Sequence, residues 1–288
     1  MLTFETYKIG LFLSQNLFSK EKTAICFCPM SIVTLTSDWN KDDFYTAALQ
    51  GRILSRCPGA IVVTITNQVP AFNIAIAAFQ LKNACGHFPE GTIHIIAVNG
   101  EMKEKRPCVA LKSKGQYFIG FDNGIFGLLL DEEPQEVVII ADKNSSSFPE
   151  LTIFAEAACD IIIAEGLSSL GADYSQLYKQ VPMLPTIDES VISGSIIYID
   201  SYRNGFTNIS HELFDQIGKG RPFEIFVQSN HNKIDRLNEW YGESSLGEML
   251  ALFNSLGLLE IAINGGNAAD LLNLSLNSSV RVKFREAN

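Results

Sequence analysis

The chain has 288 residues, 47% of them hydrophobic, which is enough to bury a core in one large domain or in two. A formal charge of −10 excludes a phosphate-reading surface and disfavours an anionic membrane, so no nucleic acid and no membrane partner is expected. No apolar run approaches the ~20 residues that span a bilayer. Glu5 and Lys8 precede the first apolar stretch and no small-residue cleavage site follows it, which makes a poor signal peptide; a cytoplasmic location is expected. The six cysteines, Cys26, Cys28, Cys57, Cys85, Cys108 and Cys159, form no CxxC pair and have no histidine at ligand spacing, so neither a metal nor another cofactor is expected.

Residues 1–29 have no clean period, and Met30 opens directly onto the first strand; they are expected to be an extension or a mis-assigned start. Ile32-Val33-Thr34-Leu35 reads as a strand, and a turn carrying Asp38 and Asp43 leads from it into helical spacing over Phe44–Arg56. In an α/β domain, the carboxyl end of a strand is where small polar ligands dock, so two carboxylates there point to a ligand bearing hydroxyl or amino groups. The same aspartates also suit a helix cap. Pro58-Gly59 stops the helix. Ile61–Thr66 is a β-branched run of the kind buried on both faces, Ile74–Cys85 a small-residue helix, and Ile93–Val98 another strand. A hairpin turns at Lys114-Gly115, and Leu151–Gly166 is helical. The alternation predicts an α/β domain over residues 30–182 with a mostly parallel sheet and covering helices.

Past Val181-Pro182-Met183-Leu184-Pro185 the character changes. Glu189–Asp200, Glu224–Gln228, Met249–Phe253, Leu258–Asn264 and Val280–Phe284 read as strands, and only Ser210–Ile217 as a helix, with Ser210 its N-cap. A β-barrel domain over residues 186–288 is the economical expectation.

Six stretches occur in order: Ser37-Asp38 with Asp43; Val69-Pro70-Ala71-Phe72-Asn73-Ile74; Phe88-Pro89-Glu90-Gly91-Thr92-Ile93; Asp122-Asn123-Gly124; Asp200-Ser201-Tyr202-Arg203-Asn204 with Thr207-Asn208; and Ile261-Ala262-Ile263-Asn264-Gly265-Gly266-Asn267-Ala268. On these the chain resembles the S-adenosylmethionine hydroxide adenosyltransferase family, whose relatives include the fluorinases and chlorinases. The resemblance covers residues 30–288. It implies an N-terminal α/β domain, a C-terminal β-barrel, and a homotrimer whose ligand site lies between one subunit's N-terminal domain and a neighbour's C-terminal domain. It also implies roles: Asp38 for the ribose hydroxyls, Asp43 for the methionine ammonium, Phe72 and Tyr202 as aromatic walls, and Asn204 for the adenine edge. Asp122 and Asn123 serve equally as ligand contacts or as supports of the Gly124 turn.

The hydrolase branch of that family positions water with an Asp, an Arg and a His, and releases methionine and adenosine. Arg106 keeps the Arg position, but Asn99 stands at the Asp position and Pro149 at the His position. Asn has no basic site at neutral pH and Pro has no polar side chain. A positioned general base is worth ~10²–10⁴ in rate, so impaired turnover of S-adenosylmethionine is expected. Glu101, Glu104 and Glu150 are the replacements to consider, whereas His87 and His94 are placed wrongly for the role. The alternatives are a non-catalytic trimer that binds an adenosyl ligand and, less favoured, a halide adenosyltransferase. The long insertion of the fluorinase branch is replaced here by the short turn Lys112-Ser113-Lys114-Gly115.

Overall fold

The computed structural model describes residues 31–98, 106–141 and 148–285. Asn99, Glu101, Glu104 and residues 1–29 therefore lie outside the described residues. The first sheet contains β1 (Ile32–Ser37), β2 (Ile61–Thr66), β3 (Ile93–Ala97), β4 (Cys108–Ser113), β5 (Gln116–Phe121) and β6 (Glu136–Ile139), in the order β2-β1-β3-β5-β4-β6. The β2-β1-β3-β5 ladders are parallel, and β4 runs against both of its neighbours. The sheet is thus mostly parallel, as the alternation predicted.

Helices α1 (Tyr45–Arg56) and α4 (Pro149–Ala164) cover one face, closing on Val33 and Leu35. Helices α2 (Ile74–Cys85) and α3 (Ile125–Leu129) cover the other, closing on Ile96, Val98, Val109 and Phe118. Alternation along β1 therefore sends Val33, Leu35 and Ser37 towards α4, and Thr34 and Thr36 towards α2. Asn73 caps α2 by accepting from the Ile76 N–H at 3.0 Å.

The expectation that Ile61–Thr66 is buried on both faces is corrected. This strand is the sheet's edge, its residues are only partly covered, and Ile61 is 49% exposed. A β-branched run reports the pleated backbone, not the number of neighbours the strand acquires.

The second sheet is antiparallel apart from its turns: β7 (Thr186–Asp188), β8 (Val191–Ile199), β9 (Gly205–Ser210), β10 (Phe223–Val227), β11 (Lys233–Ile234), β12 (Met249–Phe253), β13 (Leu258–Ile263) and β14 (Ser279–Phe284). The order is β11-β10-β14-β8-β9-β13-β12 with β7 on β8, and the end strands β11 and β12 return against each other, leaving a nearly closed barrel. Ile192, Ile196, Ile225, Ile261 and Val282 fill its interior. Helix α5 (His211–Gly218) starts where expected, with Ser210 Oγ accepting from the Leu213 N–H at 3.1 Å. A short helix α6 (Ala268–Leu271) follows β13.

The two sheets are joined through α2 and β8. Phe79 stacks on Tyr198 at 4.8 Å, and Gln80 Nε2 donates to Tyr198 Oη at 3.2 Å.

Candidate functional site

Because β1 lies between β2 and β3, chain connections leave it in both directions, and the crevice of such a sheet opens at the carboxyl ends of these strands. Asp38 stands there, one residue beyond β1. Neither Asp38 nor Asp43 caps α1: the N-cap is Phe44, and no side chain satisfies it. Instead, Asp38 Oδ2 accepts the backbone N–H of Phe72 at 2.8 Å, tying the end of β1 to the loop between β2 and α2. Phe72 holds a left-handed backbone, φ 62°, and is 54% exposed. Burial pushes the Asp38 carboxyl above its usual range, and the Phe72 N–H partly offsets that.

Unpartnered polar atoms collect at the same edge. Thr36 Oγ1 and Ser37 Oγ are buried without a hydrogen-bond partner. Arg106 leads into β4 at that edge; its guanidinium lies 4.8 Å over the Tyr178 ring, and its Nε is buried without a partner. Orphaned buried polar atoms mark a place where water or ligand completes the bonding. Glu150, in the first turn of α4, is only 5% exposed. Burial raises its carboxyl above the usual range, and the nearby charge of Asp38 adds to this.

Asp122 and Asn123 resolve as structural. Asp122 accepts from Tyr174 Oη at 2.8 Å and from the Tyr178 N–H at 2.7 Å. Asn123 donates to the Val98 carbonyl at 3.0 Å and accepts from the Ile125 N–H at 3.2 Å. They brace Gly124, whose φ of 98° requires glycine and whose absent Cβ would meet Gln180 Cβ at 3.0 Å. His94 is fully buried, with Nδ1 2.7 Å from Thr34 Oγ1, and His87 is exposed outside the crevice on the α2–β3 connection.

The carboxyl-terminal candidates form a separate group on the barrel. Asn204 follows a tight turn in which its N–H donates to Asp200 Oδ1 at 2.8 Å, and it is buried against Glu260 and Tyr241. Tyr202, at the turn's tip, is 79% exposed. Tyr241 Oη donates to the buried Glu260 Oε1 at 2.6 Å. Among the described residues, no hydrogen bond, ion pair or ring contact joins Tyr202 or Asn204 to Asp38, Asp43 or Phe72. Cavities of about 430 Å³ between α1 and α4 and about 390 Å³ beside Tyr174 reach neither group. Among the described residues no group of His, Cys, Asp or Glu is arranged to hold a metal ion, and no helix is long and apolar enough to cross a membrane.

In the sequence alone Thr36 has no role and Ser37 none beyond its motif, and nothing there shows that Phe72 is left-handed. The first two are unremarkable strand residues, and no residue type announces a positive φ at phenylalanine.

Comparison with known proteins places these features. The family model described as the SAM hydroxide adenosyltransferase N-terminal domain matches residues 33–171, and that of the C-terminal domain matches residues 194–281. The chain is 27% identical over 269 residues to the (R)-S-adenosyl-L-methionine hydrolase of Methanocaldococcus jannaschii, covering 88% of this chain and 97% of that protein. It is 25% identical over 267 residues to the (R)-S-adenosyl-L-methionine hydrolase of Thermus thermophilus, covering 88% of this chain and 100% of that one. A crystal structure of an uncharacterized conserved protein from Thermotoga maritima shares the fold with a TM-score of 0.77 at 24% identity, over 88% of this chain and 100% of that chain. With both halves matched in order, the chain belongs to the SAM hydroxide adenosyltransferase family.

Proposed function

We propose that this protein binds S-adenosyl-L-methionine and hydrolyses it to adenosine and L-methionine. The observation that carries the reading is the Asp38 carboxylate, fixed by the Phe72 N–H at the crevice of the first sheet. An ionised carboxylate is the acceptor that a pair of ribose hydroxyls requires. The ring of the exposed Phe72 beside it offers a purine or ribose a stacking face. The exposed Asp43 carboxylate takes the methionine ammonium, Tyr202 the second wall, and Asn204 the adenine edge. Arg106 brings a guanidinium with an unsatisfied Nε to the same edge, and Asn99, seven residues earlier in the sequence, takes the position of the hydrolase branch's Asp.

The working unit is a homotrimer, and the chain divides into domains at residues 30–182 and 186–288. What supports the assembly is the separation of the two candidate groups within one chain, each with exposed aromatic surface: Phe72 on one, Tyr202 and Trp240 on the other. A neighbour's barrel turn then completes the pocket that Asp38 begins. The second reading, binding without turnover, is favoured by one observation: Pro149 forms the first turn of α4 and contributes no polar group where the relatives' motif has histidine.

Incubation with S-adenosylmethionine, with adenosine and methionine followed by chromatography and binding by calorimetry, tests both readings. Product formation that Asp38→Ala abolishes supports the hydrolase. Binding without product selects the second reading, and absence of binding removes the ligand assignment altogether.

A further inference from the structure

The hydrolysis proposed above lacks a proton acceptor if only the positions of the hydrolase motif are considered. Pro149 occupies the first helical position of α4, where a missing N–H costs nothing and the fixed φ sets the start of the helix. That start places Glu150 in the first turn, 5% exposed, just after Phe148, whose ring packs 5.6 Å from that of Trp39, the neighbour of Asp38. A buried carboxylate is costly unless it is given work or a partner there. On the α4-facing side of β1, Ser37 Oγ is fully buried and lacks a partner. Trp39, Tyr45 and Phe148 pack edge to face at 5.0–5.9 Å where the end of β1 meets the start of α4.

From this arrangement we infer that Glu150 accepts the proton of the attacking water, in place of the absent histidine. The water oxygen bonds to the ribose C5′ while the C5′–sulfur bond breaks, and its electron pair leaves with the sulfur of neutral methionine. The water proton passes to the Glu150 carboxylate and from there to solvent, so the step balances with no further reactant. Burial suits the task, because it strengthens a carboxylate as a base.

The test compares the full-length protein with Glu150→Gln and Glu150→Asp by initial rates over a range of S-adenosylmethionine concentrations, calorimetric binding, and circular dichroism melting. Glu150→Gln is expected to lower kcat about 100-fold or more while KM and calorimetric Kd stay within about threefold and the fold melts no lower. Glu150→Asp, with the carboxylate drawn back, is expected to lose about tenfold in kcat and to retain more than Gln. A folded Glu150→Gln protein turning over within about threefold of the parent overturns the assignment and leaves the hydrolase reading standing. If Glu150→Gln does not fold, Glu150→Asp decides by the same criterion: an unchanged kcat overturns the assignment. A parent protein that makes no adenosine overturns both, and its calorimetric trace then shows whether the adenosyl pocket survives.

Discussion

Asp38 and Phe72, thirty-four positions apart, are joined by one hydrogen bond of 2.8 Å from a backbone N–H to a carboxylate oxygen. The bond holds a phenylalanine at φ 62°, a conformation that phenylalanine rarely adopts. The carboxylate thus orients the aromatic ring as well as presenting acceptors of its own. Removing it costs both: Asp38→Ala is expected to weaken S-adenosylmethionine binding by about 10- to 150-fold, the range for a charged hydrogen bond of ~1.5–3 kcal/mol. Phe72→Gly relieves the backbone and Phe72→Ala does not, so the glycine variant should be the more stable by about 1 kcal/mol, while both bind weakly. Urea unfolding alongside calorimetry checks the pair.

Glu150 carries a stability cost that its proposed role explains. Its carboxyl is raised above the ordinary value of 4.5 by burial and by the charge of Asp38. A carboxyl raised on folding penalises the folded state above its folded pKa, and the penalty vanishes below the unfolded value. Glu150→Gln should therefore melt higher than the parent at pH 8, with the gap closing as pH falls towards 4.5. Activity and stability would then move in opposite directions at one residue.

His94 behaves with the reverse sign. It is fully buried, and burial lowers its pKa from 6.5 to about 4. The unfolded chain takes up a proton first as pH drops, so the stabilisation is complete above pH 6.5 and is lost on the way down to about 4. The shift corresponds to about 3 kcal/mol. Between those pH values the parent should lose that much more stability than His94→Gln, measured by urea midpoints. Equal losses in the two proteins would refute the assignment.

Tyr241→Phe removes the donor from Glu260, which is 1% exposed. A buried acceptor left short of its partner costs ~1–3 kcal/mol. Combining Tyr241→Phe with Glu260→Gln should recover part of the loss, because the residual group is then neutral and the Asn204 side chain still reaches it. Chemical denaturation of the four proteins in the cycle measures the coupling.

The shared site of the proposed homotrimer predicts complementation. Asp38→Ala and Tyr202→Ala proteins, each inactive alone, should regain activity when unfolded, mixed and refolded together, because roughly a quarter of randomly mixed sites keep both wild-type halves. Light scattering gives the assembly size. Activity that stays absent in the mixture would place both residues in one subunit's site.

Much of the fold was legible in the chain. Apolar periodicity marked β1, α1, α2, β3, the β4–β5 hairpin and α4, and the turn chemistry at Pro58-Gly59 and Lys114-Gly115 marked their ends. Strand β9 escaped because Gly205-Phe206-Thr207-Asn208 reads as a loop until a neighbouring strand pairs with it. Helix α3 and strand β6 escaped because five- and four-residue elements carry too few apolar positions to show a period.

The sequence by itself determined the family, the two kinds of sheet and the presence of Asp38 at a strand's carboxyl end, because local pattern and ordered motifs are written in neighbouring residues. Only the tertiary structure decided that Phe72 turns left-handed to meet Asp38, that Asp122 and Asn123 brace a turn, that Glu150 is buried, and that Ser37 Oγ is left unpartnered. Glu150 is buried, a property set by how α4 packs against α1, β3 and β5 and carried by no residue alone. Hydrogen bonds and desolvation depend on groups that meet from distant positions in the chain, and no local period records which of them will meet.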